Sequence, residues 1–246
     1  MMLNKTFSCL AIFVFVLSLS ALFSNKLSAK TLKIGLLEYP PHLSFKQELS
    51  QSKLYQYVEK TLKPLGYDVE FTMYPNQRGI VELKKGNIDL LLPYGEGDSK
   101  INVIAKPIFH SMPGLCFKKE NFIPILSATH RFADLMVAVP QGITIVSALQ
   151  KSEALLVSVK GNDAINRGID LVQRGRIDAF YHPSPIKIYH RKNPAYKEVA
   201  CSYFHGYSTG VYIAASDALD TKQFVLIENT FIKEMNELSY EYYFAK

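Results

Sequence analysis

The chain has 246 residues and a net charge of +6, from 28 Lys and Arg set against 22 Asp and Glu. The bases are scattered among acids with no run of five or six, a solvated surface that argues against a nucleic-acid partner. The length suits one large domain or two lobes of roughly 100 residues.

At the N-terminus, Lys5 is followed by an almost unbroken apolar run over residues 9–23. That run is shorter than the roughly 20 residues a membrane-spanning helix needs. Ser24-Asn25-Lys26-Leu27-Ser28-Ala29 then supplies small and polar residues. Residues 1–29 therefore read as an export signal cleaved after Ala29, which places the mature protein in the periplasm. An uncleaved anchor is the alternative, because Leu27 is large for its position. Cleavage removes Lys5 and Lys26 and no acid, so the charge falls from +6 to +4 and about 217 residues remain. Cys116 and Cys201 stay behind. In an oxidising compartment they either pair or persist as buried thiols, and their spacing fits no zinc site.

Residues 31–37 alternate as a first strand and end in the turn Glu38-Tyr39-Pro40-Pro41. Residues 52–65 place Leu54, Val58, Leu62 and Leu65 on one helical face, with Gly66 as the stop. Val69, Phe71 and Met73 alternate as a second strand. A helix that Asn76 can cap and Gly86 closes comes next, then an apolar strand over 88–92 and a polar loop over 93–98. Beyond Lys106-Pro107 the chain reads as extended to Lys119, a crossing into a second lobe. There the scheme returns: strand 136–139, loop 140–142, helix near 144–151, strand 155–159, a helix, and strand 177–181. Residues 197–204 and 209–215 are extended segments leading back. A last helix carries Phe224, Ile227, Phe231, Met235 and Leu238 on one face, suited to docking on a sheet. Strands alternating with helices predict parallel sheets covered by helices. The expected lobes are 30–112 with 206–246, and 113–205.

One segment recurs. Residues 78–89 and 167–178 share Arg, Gly, Ile, Gly, Ile and Asp at identical offsets, 89 residues apart. Ordinary composition gives roughly one chance identity in such a window. Two copies of one αβ unit predict two similar lobes, and a cleft between lobes is a preferred place for a small ligand.

Several elements, in order, carry a resemblance. They are Leu32-Lys33-Ile34-Gly35 followed by Tyr39-Pro40-Pro41, Leu83-Lys84-Lys85-Gly86-Asn87-Ile88-Asp89, Val137-Ala138-Val139-Pro140-Gln141-Gly142, Gly175-Arg176-Ile177-Asp178-Ala179, and Ser208-Thr209-Gly210-Val211-Tyr212. Together they span nearly all of the mature chain, which resembles the family 3 extracellular solute-binding proteins. That resemblance implies a type 2 periplasmic binding protein fold, in which two α/β lobes close about a two-crossing hinge on an amino acid or related polar metabolite. It implies delivery to an inner-membrane ABC permease or a membrane sensor by a monomeric receptor that is not an enzyme and carries no cofactor.

The family's ligand-reading positions are altered here. Tyr39 matches the aromatic residue that covers the ligand. Pro93, Tyr94 and Glu96 stand where hydroxyl residues and then an Arg hold an amino acid's carboxylate, and the nearest cation is Lys100. His182-Pro183 replaces the acid that receives the ammonium, and Thr144 alone remains of a threonine pair.

Ligands of open parallel sheets bind beyond the carboxyl ends of strands. The candidate binding residues are thus Tyr39, Tyr94, Glu96, Thr144 and His182, with Arg78 at the start of the repeat helix as a holder of anions. Arg167 repeats Arg78, so a shared structural role is the competing reading. None of the six histidines sits at metal-ligand spacing. Gly206-Tyr207-Ser208-Thr209-Gly210 fits the outline of a nucleophile elbow, but that motif needs a helix after it and β-rich residues follow. Two rival functions are a periplasmic enzyme resembling the cyclohexadienyl dehydratases, with Glu96 as its acid, and a partner-binding module with an empty cleft.

Overall fold

The computed structural model describes residues 31–95, 99–124, 126, 132–184 and 194–245. The expected export signal and Glu96 lie outside these residues. The chain builds two sheets. In the first half, strand β1 (Thr31–Leu37) leads through helix α1 (Lys53–Leu62) to β2 (Asp68–Tyr74), and helix α2 (Asn76–Lys84) leads to β3 (Leu90–Gly95). Short strands β4 (Asn102–Val103) and β5 (Phe109–Ser111) follow. The second half runs β6 (Gly114–Lys118), β7 (Met136–Pro140), α3 (Ser147–Gln150), β8 (Leu155–Val159), α4 (Ala164–Gln173), β9 (Ala179–His182) and β10 (Val199–Tyr203). Strand β11 (Thr209–Ala215) and helices α5 (Thr221–Glu237) and α6 (Tyr240–Ala245) complete the chain.

The first sheet has the order β2-β1-β3-β11-β4, with β5 also on β11, and the second has β10-β6-β9-β7-β8. β1 lies parallel to both β2 and β3, and β7 lies parallel to both β8 and β9. Each parallel trio then receives one antiparallel strand, β11 beside β3 and β6 beside β9. The order β2-β1-β3-β11 is therefore repeated as β8-β7-β9-β6. The chain passes from the first sheet to the second between Ser111 and Gly114, and returns between Tyr203 and Thr209.

The recurring sequence has one physical meaning in both copies. Asp89 Oδ2 accepts a hydrogen bond from the Lys33 amide at 2.7 Å, and Asp178 Oδ2 accepts one from the Met136 amide at 2.8 Å. Each aspartate thus ties the end of the repeat unit to the central parallel strand of its trio, β1 or β7. Gly79 and Gly168 let the repeat helix press onto its sheet. A Cβ on Gly79 would stand 2.6 Å from Leu37 Cδ2, and one on Gly168 would stand 2.0 Å from Phe180 Cε2. Gly86 and Gly175 take φ values of 73° and 64°, the left-handed turn that ends a helix. The arginines diverge: Arg78 pairs with Glu82 at 3.0 Å, whereas Arg167 donates to the Lys160 carbonyl.

Each sheet is covered on both faces. Leu32, Ile34 and Leu36 of β1 pack with Leu54, Val58 and Leu62 of α1, and with Ile227, Phe231 and Met235 of α5. On the opposite face, Leu83 of α2 meets Leu37, Leu91 and Ala214. In the second lobe, Ile165, Ile169 and Val172 of α4 pack on Ala138 and Phe180, and Leu149 of α3 packs on the other face with Val137 and Tyr181. Cys116 and Cys201 stand directly opposite each other on β6 and β10 and form a disulfide, with a Cα–Cα distance of 4.0 Å.

Three local expectations are corrected. Asn76 does not cap α2: Pro75 holds the N-cap and Asn76 is the first helical residue. The helix expected over 144–151 is the single turn Ser147–Gln150, because Ile143, Thr144, Ile145 and Val146 form a β-branched run that disfavours a helix. Pro93, Tyr94 and Gly95 belong to β3 and not to a loop, since β11 pairs Tyr212 with Tyr94 and Val211 with Gly95. Among the described residues no helix is long and apolar enough to cross a membrane.

Candidate functional site

Between the two sheets lies a cavity of about 480 Å³. Its walls come from both halves of the chain. Leu37 and Tyr39 stand at the carboxyl end of β1, Asn76 and Ile80 on α2, and Pro93 and Tyr94 at the end of β3. From the second half come Gly142, Ile143, Thr144, Ile145 and Val146 after β7, with Ser147 of α3. Tyr181 and Pro183 at the end of β9 close that side. The crossing segments form the remainder, through Ser111, Pro113, Tyr207 and Thr209. Loops at the carboxyl ends of parallel strands thus meet across the gap, as ligand sites in such sheets do.

The polar groups of these walls engage one another. The Tyr39 hydroxyl donates to Ser111 Oγ at 2.7 Å, and Ser111 Oγ donates to the Pro183 carbonyl, a chain that links the first lobe to the second through the crossing. The Tyr181 hydroxyl donates to the Thr144 carbonyl at 3.2 Å, and Ser147 Oγ lies 3.3 Å from the Tyr207 hydroxyl. Burial pushes both the Tyr39 and Tyr181 hydroxyls above the usual tyrosine range, so both stay protonated at neutral pH. Among the described residues that line the cavity, none carries a formal charge.

Of the residues predicted from sequence, the cavity brings together Tyr39, Tyr94 and Thr144. Arg78 stands apart from it: its side chain is exposed, bound to Glu82 one turn along α2, and does not line the cavity. His182 stands apart too. It is the last residue of β9 and fully buried, and its Nδ1 accepts from the Ser184 amide at 3.0 Å. Side chains alternate along a strand, so Tyr181 faces the cavity while His182 shares the opposite face with Phe180. Glu96 lies outside the described residues. Ser111, Pro113, Tyr207 and Thr209 were missed; their signal was position, because both crossings must run along the floor of an interlobe cleft.

Beside the cavity, the lobes touch through a further buried group. Glu38 is 6% exposed, and its carboxyl lies beside the backbone amides of Phe45, Ala164 and Asp163, while its Oε1 has no hydrogen-bond partner among the described residues. Two of those amides lie at the N-terminus of α4, where free amides favour an anion. Burial first, and the nearby Asp163 charge second, push the Glu38 carboxyl up to about 7. Lys46 bridges the same contact, 2.8 Å from Asp163. A Cβ on Gly142 would stand 3.3 Å from Asn76 Cβ, so β7's loop also rests against α2. His42, beyond Tyr39, turns into the core instead. Its ring stacks on Phe109 and lies 2.8 Å from the Tyr240 hydroxyl, and burial lowers it to about 3.

No family model and no curated protein matches the chain in sequence. Solved structures do match it in shape. The substrate-binding protein of an amino acid ABC transporter is similar with a TM-score of 0.69 at 19% identity, covering 87% of this chain and 96% of that one. An ancestral amino acid-binding protein, a precursor of cyclohexadienyl dehydratase, gives 0.71 at 22%, covering 87% and 94%. The GluR0 ligand-binding core in complex with L-glutamate gives 0.69 at 18%, covering 88% and 97%. At such identities the likeness is one of fold: the chain has the two-lobed α/β architecture of type 2 periplasmic binding proteins.

Proposed function

We propose that this protein is a solute-binding receptor that closes two lobes, 30–112 with 206–246 and 113–205, over one small molecule. The observation that carries the proposal is the cavity of about 480 Å³ whose walls come from both sheets and both crossings. A solute held there touches both lobes at once, so it binds the closed state better than any open one and shifts the population toward closure. The two crossings, near 111–114 and 203–209, are the segments about which closure occurs. Similar structures named as binding proteins for amino acids support the reading. The proposal is of capture without turnover, in the periplasm once residues 1–29 are removed, followed by hand-over to an ABC permease or a membrane sensor.

The test is a thermal-shift screen of refolded mature protein against a broad metabolite panel, with small-angle scattering on every compound that stabilises it. A solute at one hundred times its Kd adds about 2.7 kcal/mol. For a chain of this size that raises Tm by roughly 5–10 °C. The expected result is such a rise together with a smaller radius of gyration. A complete screen without a stabiliser overturns the proposal.

A further inference from the structure

We infer that the solute is an uncharged, largely apolar molecule with an aromatic or branched skeleton, and not a zwitterion. The inference rests on the capture reading above. Four tyrosine rings, Tyr39, Tyr94, Tyr181 and Tyr207, line the cavity together with Leu37, Ile80, Ile143, Ile145, Val146 and Val211. Rings and branched aliphatic groups reward a flat or branched apolar skeleton through dispersion and loss of water-exposed area.

The polar atoms of the same walls already have partners. Tyr39 donates to Ser111, Ser111 donates to Pro183, Tyr181 donates to Thr144, and Ser147 meets Tyr207. What is left for a solute is the Asn76 side-chain amide, the Thr209 hydroxyl and the remaining lone pairs of tyrosine oxygens. Those groups satisfy one or two neutral hydrogen bonds. An ammonium or carboxylate sealed between the lobes would lose its hydration against described walls that offer no full counter-charge. The same exchange is mild for a hydroxyl or an amide, which needs only one partner.

The experiment uses matched pairs that share a skeleton and differ in charge: tyrosol and L-tyrosine, 2-phenylethanol and L-phenylalanine, 3-methylbutan-1-ol and L-leucine. Binding of each to the mature protein is read by saturation-transfer NMR and calorimetry, and repeated on Thr209→Trp, which places a large ring in the cavity without removing a core side chain. The expected result is that the neutral member of at least one pair binds about tenfold or more tightly than its zwitterion, a gap of about 1.4 kcal/mol. That binding should be lost in Thr209→Trp. If a zwitterion binds as well as its neutral partner, and Thr209→Trp abolishes it, capture stands and the inference falls. If no pair binds, the metabolite screen decides: a neutral stabiliser supports the inference, a charged one overturns it alone, and none overturns both.

Discussion

Replacing Gly168 with Ala tests the packing that makes the two lobes twins. A Cβ there would stand 2.0, 2.1 and 2.7 Å from three carbons of the Phe180 ring, where ordinary contact begins at 3.4 Å. Helix or ring must therefore retreat by about 1.4 Å, the difference between 3.4 and 2.0 Å. The ring has little room, because Phe180 is fully buried among Ile165, Ile169 and Ala138. Overpacking of this severity costs about 3 kcal/mol, and the better helix propensity of Ala returns about 1. The net loss of about 2 kcal/mol lowers Tm by roughly 4–8 °C. At Gly79 the close atoms are the ends of Leu37 and Leu91 at 2.6 and 2.9 Å, and both side chains can swing aside. Gly79→Ala should therefore stay within roughly 2 °C of the wild type, its smaller strain offset by propensity. Calorimetry of both variants, and of Gly168→Ala with Phe180→Leu added, gives the comparison. The double variant should recover about 1 kcal/mol beyond additivity. Gly168→Ala melting at or above the wild type would refute the close approach of α4 to β9.

Other outcomes follow from the same geometry. Glu38 binds its proton more tightly folded than unfolded, with a carboxyl raised from 4.5 to about 7. Its stabilising effect is complete below about 4.5 and lost as pH rises through about 7. His42 has the opposite sign, since lowering from 6.5 to about 3 removes stability as pH falls below 6.5. Between pH 6.5 and 8 the wild type should thus lose Tm while Glu38→Gln stays nearly level, and parallel curves would show that Glu38 is not buried against α4. The disulfide closes a separation of 85 residues. Cys116→Ser with Cys201→Ser should cost about 3 kcal/mol, or roughly 6–12 °C of Tm, and a loss under about 2 °C would contradict its structural role.

Much of the fold was legible because the repeated residues serve the backbone. Gly79 and Gly168 sit where helix meets sheet, Gly86 and Gly175 end helices, and Asp89 and Asp178 hold backbone amides of β1 and β7; such needs leave a sequence mark that side-chain contacts do not. The site was harder, and for one main reason. Along a strand a shift of one position reverses the face. At the end of β9 it is Tyr181, not the expected His182, that faces the cavity, and after β1 Tyr39 lines the wall while Glu38 lies in the lobe contact beside it. Arg78 misled because it stands near the start of α2, but its guanidinium turns outward to Glu82. The extension of β3 through Tyr94 depends on β11, more than a hundred residues later, and no local pattern reports such a pairing.

Native mass spectrometry of protein purified gently from its own host addresses capture most directly. The wild type is expected to carry one small neutral molecule, released on mild activation, and Thr209→Trp to fly without it at unchanged secondary structure by circular dichroism. A co-purified molecule that persists in Thr209→Trp, or a wild type that stays bare both as isolated and after incubation with a cell extract, would contradict a solute seat between the sheets.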